Sequence, residues 1–199
     1  MPQEHYFSSK PADEASLRTI RATLAGRELE LVTAGGVFSP EHLDTGTRVL
    51  LDAVPAPPTH GELLDLGCGW GPVALSLALR SPGASVWAVD VNERALDLVR
   101  RNAARLGLGN VRAVLPDEVP AEVRFDAIWS NPPIRIGKDE LHALLERWLP
   151  RLGADAGAWL VVAKQLGAES LQRWIGEALS FEVRRIEQAK GFRVLEVRR

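Results

Sequence analysis

The sequence predicts an α/β fold built on a doubly wound, mostly parallel seven-stranded sheet. From residue 61 onward, short apolar runs of strand length alternate with longer segments of helical spacing, which is typical of parallel sheets covered by helices. A glycine-rich turn at residues 67–71 follows the first of these runs, where doubly wound folds bind their ligands. The last two runs have no helix between them, which predicts an antiparallel hairpin at the C-terminal end of the sheet.

Residues 1–60 are predicted to form a short β preface to this sheet. Residues 19–24 and 27–33 alternate in part between apolar and polar side chains, and the two residues between them predict a hairpin turn. Residues 43–54 have helical spacing, and a proline-rich stretch ends that helix. At 199 residues we expect one domain, 1–199, whose core runs over residues 61–199.

The core is predicted to contain seven strands and four helices. The strands are expected at residues 63–66, 85–90, 111–115, 125–129, 158–163, 181–186 and 192–197. The helices are expected at residues 72–80, 93–106, 139–152 and 170–179. Alternation of this kind places helices on both faces of the sheet, as in Rossmann-like folds.

Composition indicates an ordinary globular protein, with 46% hydrophobic and 25% charged residues. No apolar stretch approaches the ~18 residues of a membrane helix, and the N-terminus lacks a signal pattern, so we expect a cytoplasmic protein without membrane association. The single cysteine excludes an internal disulfide and a zinc cluster, so no metal site is predicted. The net charge of −2 provides no global basic field for RNA, although residues 180–199 are mildly basic.

The glycine-rich turn and three acidic positions predict a ligand site. The turn has the spacing G-x-G-x-G, which differs from the G-x-G-x-x-G of dinucleotide-binding proteins. Asp65 precedes the turn, and a carboxylate there suits a cationic ligand better than a pyrophosphate. Asp90 closes the second core strand, where an acid can accept both hydroxyls of a ribose. Pro116 and Asp117 follow the third strand, where an adenine amino group could lie. Each feature alone could be a turn or a helix cap, but together they predict a nucleoside-containing ligand.

A second motif, Ser130-Asn131-Pro132-Pro133, ends the fourth core strand. The side-chain oxygen of Asn131 can accept one proton of an exocyclic amino group, and the backbone carbonyl of Pro132 can accept the other. Two successive prolines stiffen that carbonyl. A planar amino group held by two acceptors has its nitrogen aimed in one direction, as methyl transfer requires. Asn131 and Pro132 are therefore the predicted catalytic residues; the alternative is a proline-rich exit from a strand.

In these motifs the sequence resembles the class I S-adenosylmethionine-dependent methyltransferases, over about residues 60 to 199. The resemblance implies S-adenosylmethionine as cofactor. It places the turn near the methionine part, the acid after the second core strand on the ribose, and the acid after the third at the adenine. The cofactor-binding residues expected within this region are Asp65, Gly67, Cys68, Gly69, Asp90, Val91, Pro116, Asp117 and Asn131.

A narrower resemblance covers nearly the whole chain. The segments at residues 31–39, 43–47, 131–138 and 190–195 resemble those of the "small" methyltransferase group, which includes rRNA guanine-N2 methyltransferases. The resemblance implies that Phe38 and Thr45 lie beside the cofactor and that the substrate is ribosomal RNA or a ribosomal subunit. The rRNA enzymes of that group carry an additional N-terminal domain, which we do not expect here. A homodimer is one arrangement that would replace it.

The sequence defines the methyl-transfer reaction more closely than it defines the molecule that accepts the methyl group. Many rRNA enzymes of the group have an aromatic residue after the two prolines, which can stack on a flipped base, whereas this chain has Ile134. Stacking would then fall to Phe38, Trp70 or Phe192. The motif alone leaves an adenine N6, a guanine N2 or a protein glutamine amide as the acceptor, and a non-catalytic S-adenosylmethionine-binding module is the alternative from another class. The residues expected to bind substrate are Pro133, Ile134, Arg135, Lys138 and Lys164.

Overall fold

The computed structural model describes residues 17–133 and 137–199, and it confirms the predicted fold class. The strands are β1 (Leu17–Leu24), β2 (Arg27–Ala34), β3 (His60–Leu66), β4 (Gly83–Val89), β5 (Val111–Val114), β6 (Phe125–Ser130), β7 (Leu152–Ala163), β8 (Glu182–Ala189) and β9 (Phe192–Arg198). The helices are α1 (Thr45–Ala53), α2 (Pro72–Arg80), α3 (Glu93–Leu106), α4 (Lys138–Trp148) and α5 (Ala168–Leu179). Within these ranges, no helix is long and apolar enough to cross a membrane.

Strands β3 to β9 form one sheet in the order β5-β4-β3-β6-β7-β9-β8. Strands β3 to β7 are parallel, and β9 runs antiparallel to both of its neighbours, β7 and β8. The chain moves outward from β3 to β5 and then returns to the other side of β3 with β6. The order therefore reverses between β3 and β6, and doubly wound sheets bind ligands at the carboxyl ends of strands at such a point.

Both faces of the sheet are covered, as the continuous apolar runs of its inner strands require. Leu63 faces the layer formed by α1, α2 and α3, and its neighbour Leu64 faces the layer formed by α4 and α5. The same alternation continues on β6, where Ile128 faces α4 and α5 and Trp129 faces the opposite layer. Helices α2 and α4, which follow β3 and β6, thus lie on opposite faces and leave a crevice between the two strand ends.

The β1–β2 hairpin packs on the outer side of α2 and α3, and the buried amide of Asn102 fastens it there. The Asn102 oxygen accepts from the N–H of Val32 at 2.7 Å, and its nitrogen donates to the C=O of the same residue at 2.9 Å. The nitrogen also donates to the C=O of Trp70 at 3.2 Å. The Asn102 side chain therefore joins β2 to the glycine-rich turn. It also satisfies the hydrogen-bonding capacity of the Val32 backbone N–H and C=O, as a neighbouring strand would.

The structure differs from the predicted elements mainly between α4 and β7. A helix was expected over residues 139–152, but α4 ends at Trp148 and a 3-10 turn covers Leu149–Arg151. Pro150 lacks an N–H and restricts the residue before it, so the helix cannot continue through this point. Strand β7 then begins at Leu152 rather than at residue 158, because the Gly- and Ala-rich segment before residue 158 pairs with β6 despite lacking a strand pattern.

We expect Asn102→Ala to lower the free energy of unfolding by about 2–4 kcal/mol, because it removes the partner of the partly buried N–H of Val32 and of the buried C=O of Trp70. Urea unfolding followed by circular dichroism measures the change. Arg105→Ala is the matched control, since Arg105 on the same helix reaches Glu30 of β2 only through an ion pair at 3.5 Å whose side chains are about half exposed. The control should cost less than about 1 kcal/mol. Equal losses in the two variants would contradict the role assigned to the buried amide.

Candidate functional site

A pocket opens at the carboxyl ends of β3 and β6, where the strand order reverses. It encloses about 360 Å³ of space that no protein atom fills, part of it open to solvent. The structure brings several of the predicted site residues together on its wall. These are Phe38, Asp65, Gly67, Cys68, Gly69 and Asn131.

The glycine-rich turn forms the floor of the pocket, and its backbone adopts a conformation that residues with side chains rarely adopt. Gly67, Gly69 and Gly71 have φ values of 76°, 54° and 99°, in the left-handed region that favours glycine. The N–H of Gly67 donates to the C=O of Val89 at the end of β4 at 2.8 Å, which fixes the turn against the sheet. A Cβ on Gly67 would lie 3.6 Å from the ring of Pro133, so the turn faces the Asn-Pro-Pro motif directly.

Cys68 lies inside this turn and is buried. Burial, reinforced by the charges of Asp90 and Asp65, raises the pKa of the Cys68 thiol well above its ordinary value. The thiol therefore stays protonated at neutral pH and is poorly suited to act as a nucleophile. Its small side chain fits the tight turn, which is the simplest reason for a cysteine there.

Asp65 is the most perturbed acid of the site. It is 1% exposed, and its Oδ2 accepts from the N–H of Ala74 in the first turn of α2 at 2.8 Å. The pKa of Asp65 is raised to about 8, mainly by burial; the hydrogen bond from Ala74 opposes the rise, and the charge of Asp90 contributes to it. Asp65 forms no ion pair within residues 17–133 and 137–199, and a buried carboxyl of this kind is suited to a ligand that brings a positive charge into the pocket.

Asp90 follows β4 and supports the turn from below. Its Oδ2 accepts from the N–H of Gly69 at 2.9 Å, and its Oδ1 accepts from the N–H of Asn92 at 2.9 Å. Burial raises the pKa of Asp90, and these backbone hydrogen bonds oppose the rise. A third backbone N–H, that of Val91, also bonds to this carboxylate, so about one of its four lone-pair sites remains for a ligand hydroxyl. The next residue, Val91, is 56% exposed and presents an apolar surface beside the acid.

The side chain of Asn131 is held in one orientation by α1. Its Nδ2 donates to Asp44 Oδ2 at 3.0 Å and to Thr47 Oγ1 at 2.9 Å. Because an ionised carboxylate only accepts, the contact with Asp44 fixes which end of the amide is the nitrogen. The oxygen Oδ1 accepts no hydrogen bond from any residue in the described ranges. Pro132 is buried and Pro133 half-buried, so the motif leaves the sheet as a rigid segment.

Sequence reasoning did not predict that Asp44 and Thr47 orient Asn131, although the family resemblance implies that Asp44 lies beside the cofactor. Asp44 is the N-cap of α1 and also accepts from the N–H of Thr47 at 3.1 Å, so one carboxylate caps a helix and fixes the catalytic candidate. The available signal was the pattern Asp-x-x-Thr at the start of a predicted helix, which indicates a cap. The predicted site residue Thr45 lies between them, is exposed, and does not line the pocket.

A loop at residues 35–39 closes one side of the pocket and is fastened by three side chains of the core. The Trp70 indole N–H donates to the C=O of Ser39 at 3.1 Å, the Asn92 amide to that of Gly36 at 2.9 Å, and the Arg94 guanidinium to that of Gly35 at 2.9 Å. Phe38 is nevertheless 48% exposed and lines the pocket, so the fixed loop presents an aromatic ring to it.

Other predicted site residues do not reach this pocket. Pro116 and Asp117 begin a 3-10 turn after β5, and Asp117 is exposed and paired with Arg147 of α4 at 2.8 Å. Lys138 is exposed at the start of α4, and Lys164 is exposed after β7, where it lines a second cleft. Two further predicted substrate-binding residues, Ile134 and Arg135, lie outside the described residues.

Comparison with known proteins relates the chain to one family along most of its length. A family model described as "Methyltransferase small domain" matches residues 28–196. The uncharacterized protein YbxB of Bacillus subtilis (strain 168) is 35% identical over 199 residues, a match that covers 98% of each chain. The family match thus includes most of β2, the pocket and most of the C-terminal hairpin.

Other relatives carry names that state an activity. Ribosomal RNA small subunit methyltransferase C of Aeromonas hydrophila is 40% identical over 127 residues, which are 62% of this chain and 36% of that protein. The protein of that name from Shewanella amazonensis is 30% identical over 79% of this chain and 47% of its own length. The chain therefore aligns with less than half of each.

A solved structure shares the fold over nearly the whole chain. It is the T. thermophilus 16S rRNA N2 G1207 methyltransferase (RsmC) in complex with AdoMet and guanosine. The TM-score is 0.82 at 24% identity, and the match covers 95% of this chain and 52% of that one. The likeness establishes the arrangement of strands and helices around the pocket.

Asp65→Asn is expected to change how stability depends on pH. The folded-state pKa of about 8 stands well above the ordinary value of 3.8, so the folded state keeps a proton that the unfolded state releases. The free energy of unfolding of the wild type should therefore fall relative to the variant as the pH rises from about 4 to about 8, by at most about 1.4 kcal/mol per unit. Asn still accepts from Ala74, so the helix cap is retained.

Urea unfolding of both proteins at intervals from about pH 5 to pH 9 measures this difference, which should level off above pH 8. Comparing the two proteins at each pH cancels the contributions of the other titrating groups. A difference that stays constant across the range would show that Asp65 is ionised throughout.

Proposed function

The chain belongs to the methyltransferase small domain family and is an S-adenosylmethionine-dependent methyltransferase, and from this we propose that it methylates the exocyclic N2 of a guanine in ribosomal RNA. The observation that carries the proposal is the fixed amide of Asn131, whose nitrogen is held by Asp44 and Thr47 while its oxygen accepts from no residue that the structure describes. The names of two relatives state methylation of small-subunit ribosomal RNA, which supports RNA as the substrate.

The pocket fits the cofactor. A Cβ placed on Gly69 would meet no atom within 4 Å, so the turn has open space above it for a ligand. Asp65 would face the cationic methionine part, the remaining acceptor site of Asp90 would take a ribose hydroxyl, and Val91 would pack on the adenine. Asp117 would reach the adenine only by exchanging its ion pair with Arg147. When bound, the cofactor supplies an electrophilic methyl group on a positively charged sulfur.

The chain contributes alignment to the reaction. The Asn131 oxygen and the Pro132 carbonyl would accept the two protons of the acceptor amino group and direct its nitrogen into the pocket. A Cβ built on Gly67 would lie 3.6 Å from the ring of Pro133. The methyl-donor site at the glycine-rich turn and the methyl-acceptor site at the Asn-Pro-Pro motif are therefore adjacent. The transferred methyl leaves the acceptor nitrogen with one proton too many, which it loses readily without a strong base. Fixed dipoles and close approach therefore account for the catalysis we propose.

The glutamine and non-catalytic alternatives are weaker. A glutamine amide presents the same planar NH2, so the acceptor motif alone does not exclude it. The names of the ribosomal RNA methyltransferases favour a guanine. A module that only binds S-adenosylmethionine has no use for an Asn131 amide held in one orientation beside the turn.

One labelling experiment separates these functions. The protein is incubated with labelled S-adenosylmethionine and undermethylated small ribosomal subunits, free ribosomal RNA or release-factor protein. We expect label in RNA, recovered as N2-methylguanine after digestion to nucleosides. Label found only in protein would support the glutamine alternative. Donor binding without any transfer would support the binding module.

Removing the Asn131 side-chain oxygen should abolish alignment of the substrate amino group while leaving the binding of S-adenosylmethionine intact. We expect Asn131→Ala to lower kcat by about 100-fold, the size of effect that misplacement of a reacting group causes. Thr47→Val removes one of the two contacts that orient the amide and should lower kcat by about 10-fold. Single-turnover methylation and calorimetric donor titration are the measurements. Thr45→Val, two positions away and exposed, is the matched control and should behave as wild type. Full activity of Asn131→Ala would refute the mechanism.

Phe38 is the residue we expect to stack on the acceptor base. Trp70 also lines the pocket, but it is 2% exposed and donates to the loop, and Phe192 packs against Gly46, so Phe38 has the most accessible ring of the three. Phe38→Ala should weaken RNA binding or methylation by about 5- to 150-fold, because base stacking on an aromatic contributes about 1–3 kcal/mol. Phe38→Tyr should retain activity and Phe38→Leu should not, since only the former keeps a π face. Full activity of Phe38→Leu would contradict stacking, and a parallel loss of donor affinity would place Phe38 on the cofactor instead.

A further inference from the structure

A second cleft lies at the same carboxyl edge of the sheet, on the side covered by α5. It encloses about 730 Å³ of space free of protein atoms and is open to solvent. Its walls come from the end of β7, the start of β9 and the first turns of α5. The side chains and backbone that line it belong to Lys164, Gly167, Glu169, Ser170, Arg173 and Arg193.

The cleft is positively charged, although the chain as a whole carries a net charge of −2. Three cations face one carboxylate there, which leaves an excess of two positive charges. Lys164 and Arg173 are exposed, and neither side chain forms an ion pair or hydrogen bond with the residues in the described ranges. Their charges are therefore available to a ligand.

Arg193 gives the cleft a fixed centre. It is 8% exposed, and its guanidinium donates to Gln188 at 3.2 Å and to Glu169 at 2.6 Å. The hydrogen bond and charge of Arg193 lower the pKa of Glu169, and Lys164 contributes to the same effect. The carboxylate of Glu169 is 74% exposed, so it can leave this contact when a competing anion arrives. A planar guanidinium flanked by two free cations is a suitable receptor for phosphate oxygens.

The position of the cleft relates it to the acceptor pocket. Ser130 pairs with Leu160 on the neighbouring strand β7, and Lys164 follows four residues later, beyond the end of β7. A strand rise of about 3.3 Å per residue and a strand spacing of about 4.8 Å place Lys164 roughly 14 Å from Ser130. The two sites therefore lie on one edge, within the reach of a few nucleotides of a single strand.

We propose that this cleft binds a phosphodiester group of the same nucleic-acid strand whose base enters the pocket. The inference rests on the proposed function, because it assigns the cleft to the RNA substrate. Lysine and arginine contacts with phosphates are independent of sequence, and they position the strand while the pocket selects the base. The cleft would compensate for the absence of a basic field over the molecule as a whole.

Binding of a fluorescent single-stranded ribosomal RNA fragment, followed by anisotropy with S-adenosylhomocysteine present, tests the proposal. We expect the double variant Lys164→Ala/Arg173→Ala to weaken RNA binding by about 10-fold at low salt. For this double variant, the slope of log affinity against log salt concentration should also be less steep, by about 0.7 for each lost phosphate contact. Arg27→Ala in the β1–β2 hairpin removes an exposed cation far from the cleft and should leave affinity and slope unchanged.

Separate outcomes test the cleft and the proposed function. If the wild type methylates RNA but the double variant keeps its affinity and salt slope, the cleft proposal is wrong and the function stands. If Arg27→Ala lowers the slope as much, the effect is one of overall charge and the cleft is again refuted. If the wild type transfers label only to protein, the proposed function fails. Loss of donor affinity in the double variant would reveal a folding defect, and the single variants Lys164→Gln and Arg173→Gln then decide the result.

Discussion

The site depends on the pairing of β3 with β6 at the centre of the sheet. Their neighbouring carboxyl ends are joined beyond the ladder by the hydroxyl of Ser130, which donates to the C=O of Leu66 at 2.6 Å. Helices α2 and α4 then depart on opposite faces, so the two strand ends remain uncovered by either helix. The glycine-rich turn and the Asn-Pro-Pro motif meet because each directly follows one of these strands. Donor and acceptor chemistry are adjacent for this topological reason.

The N-terminal preface, residues 1–60, orients a side chain of the pocket, whereas the core, residues 61–199, carries the groups proposed to bind the cofactor and the methyl acceptor. Asp44 and Thr47 hold the nitrogen of Asn131, while side chains of the core hold the loop that carries Phe38. Each part therefore positions residues of the other. Asp65 shows what this arrangement costs, since a buried carboxyl with a raised pKa destabilises the protein without ligand. Sites that bind cations commonly retain such a group because the ligand offsets the cost.

The sequence predicted what local patterns determine. The bounds of α2 and α3 agree with the expected residues 72–80 and 93–106, because Pro, Asn and Gly mark their ends. The features that the sequence did not predict depend on tertiary contacts. The hydrogen bonds from Asn131 to Asp44 and Thr47, for example, join residues that are 87 and 84 positions apart. The pairing of Asp117 with Arg147 and the cleft around Arg193 likewise follow from packing that no spacing reveals. The roles of the predicted site residues remain predictions.

The Asn102 clamp also bears on the order in which the molecule assembles. The β1–β2 hairpin closes across a two-residue turn and can form early, but docking it requires the contact between Val32 and Asn102, 70 positions apart. The join between Ser130 and Leu66 closes a comparable span of 64 positions. Long closures are slow because the chain loses entropy before native contacts compensate. Since the pocket wall draws on both, binding competence should arise only in the last stage of folding.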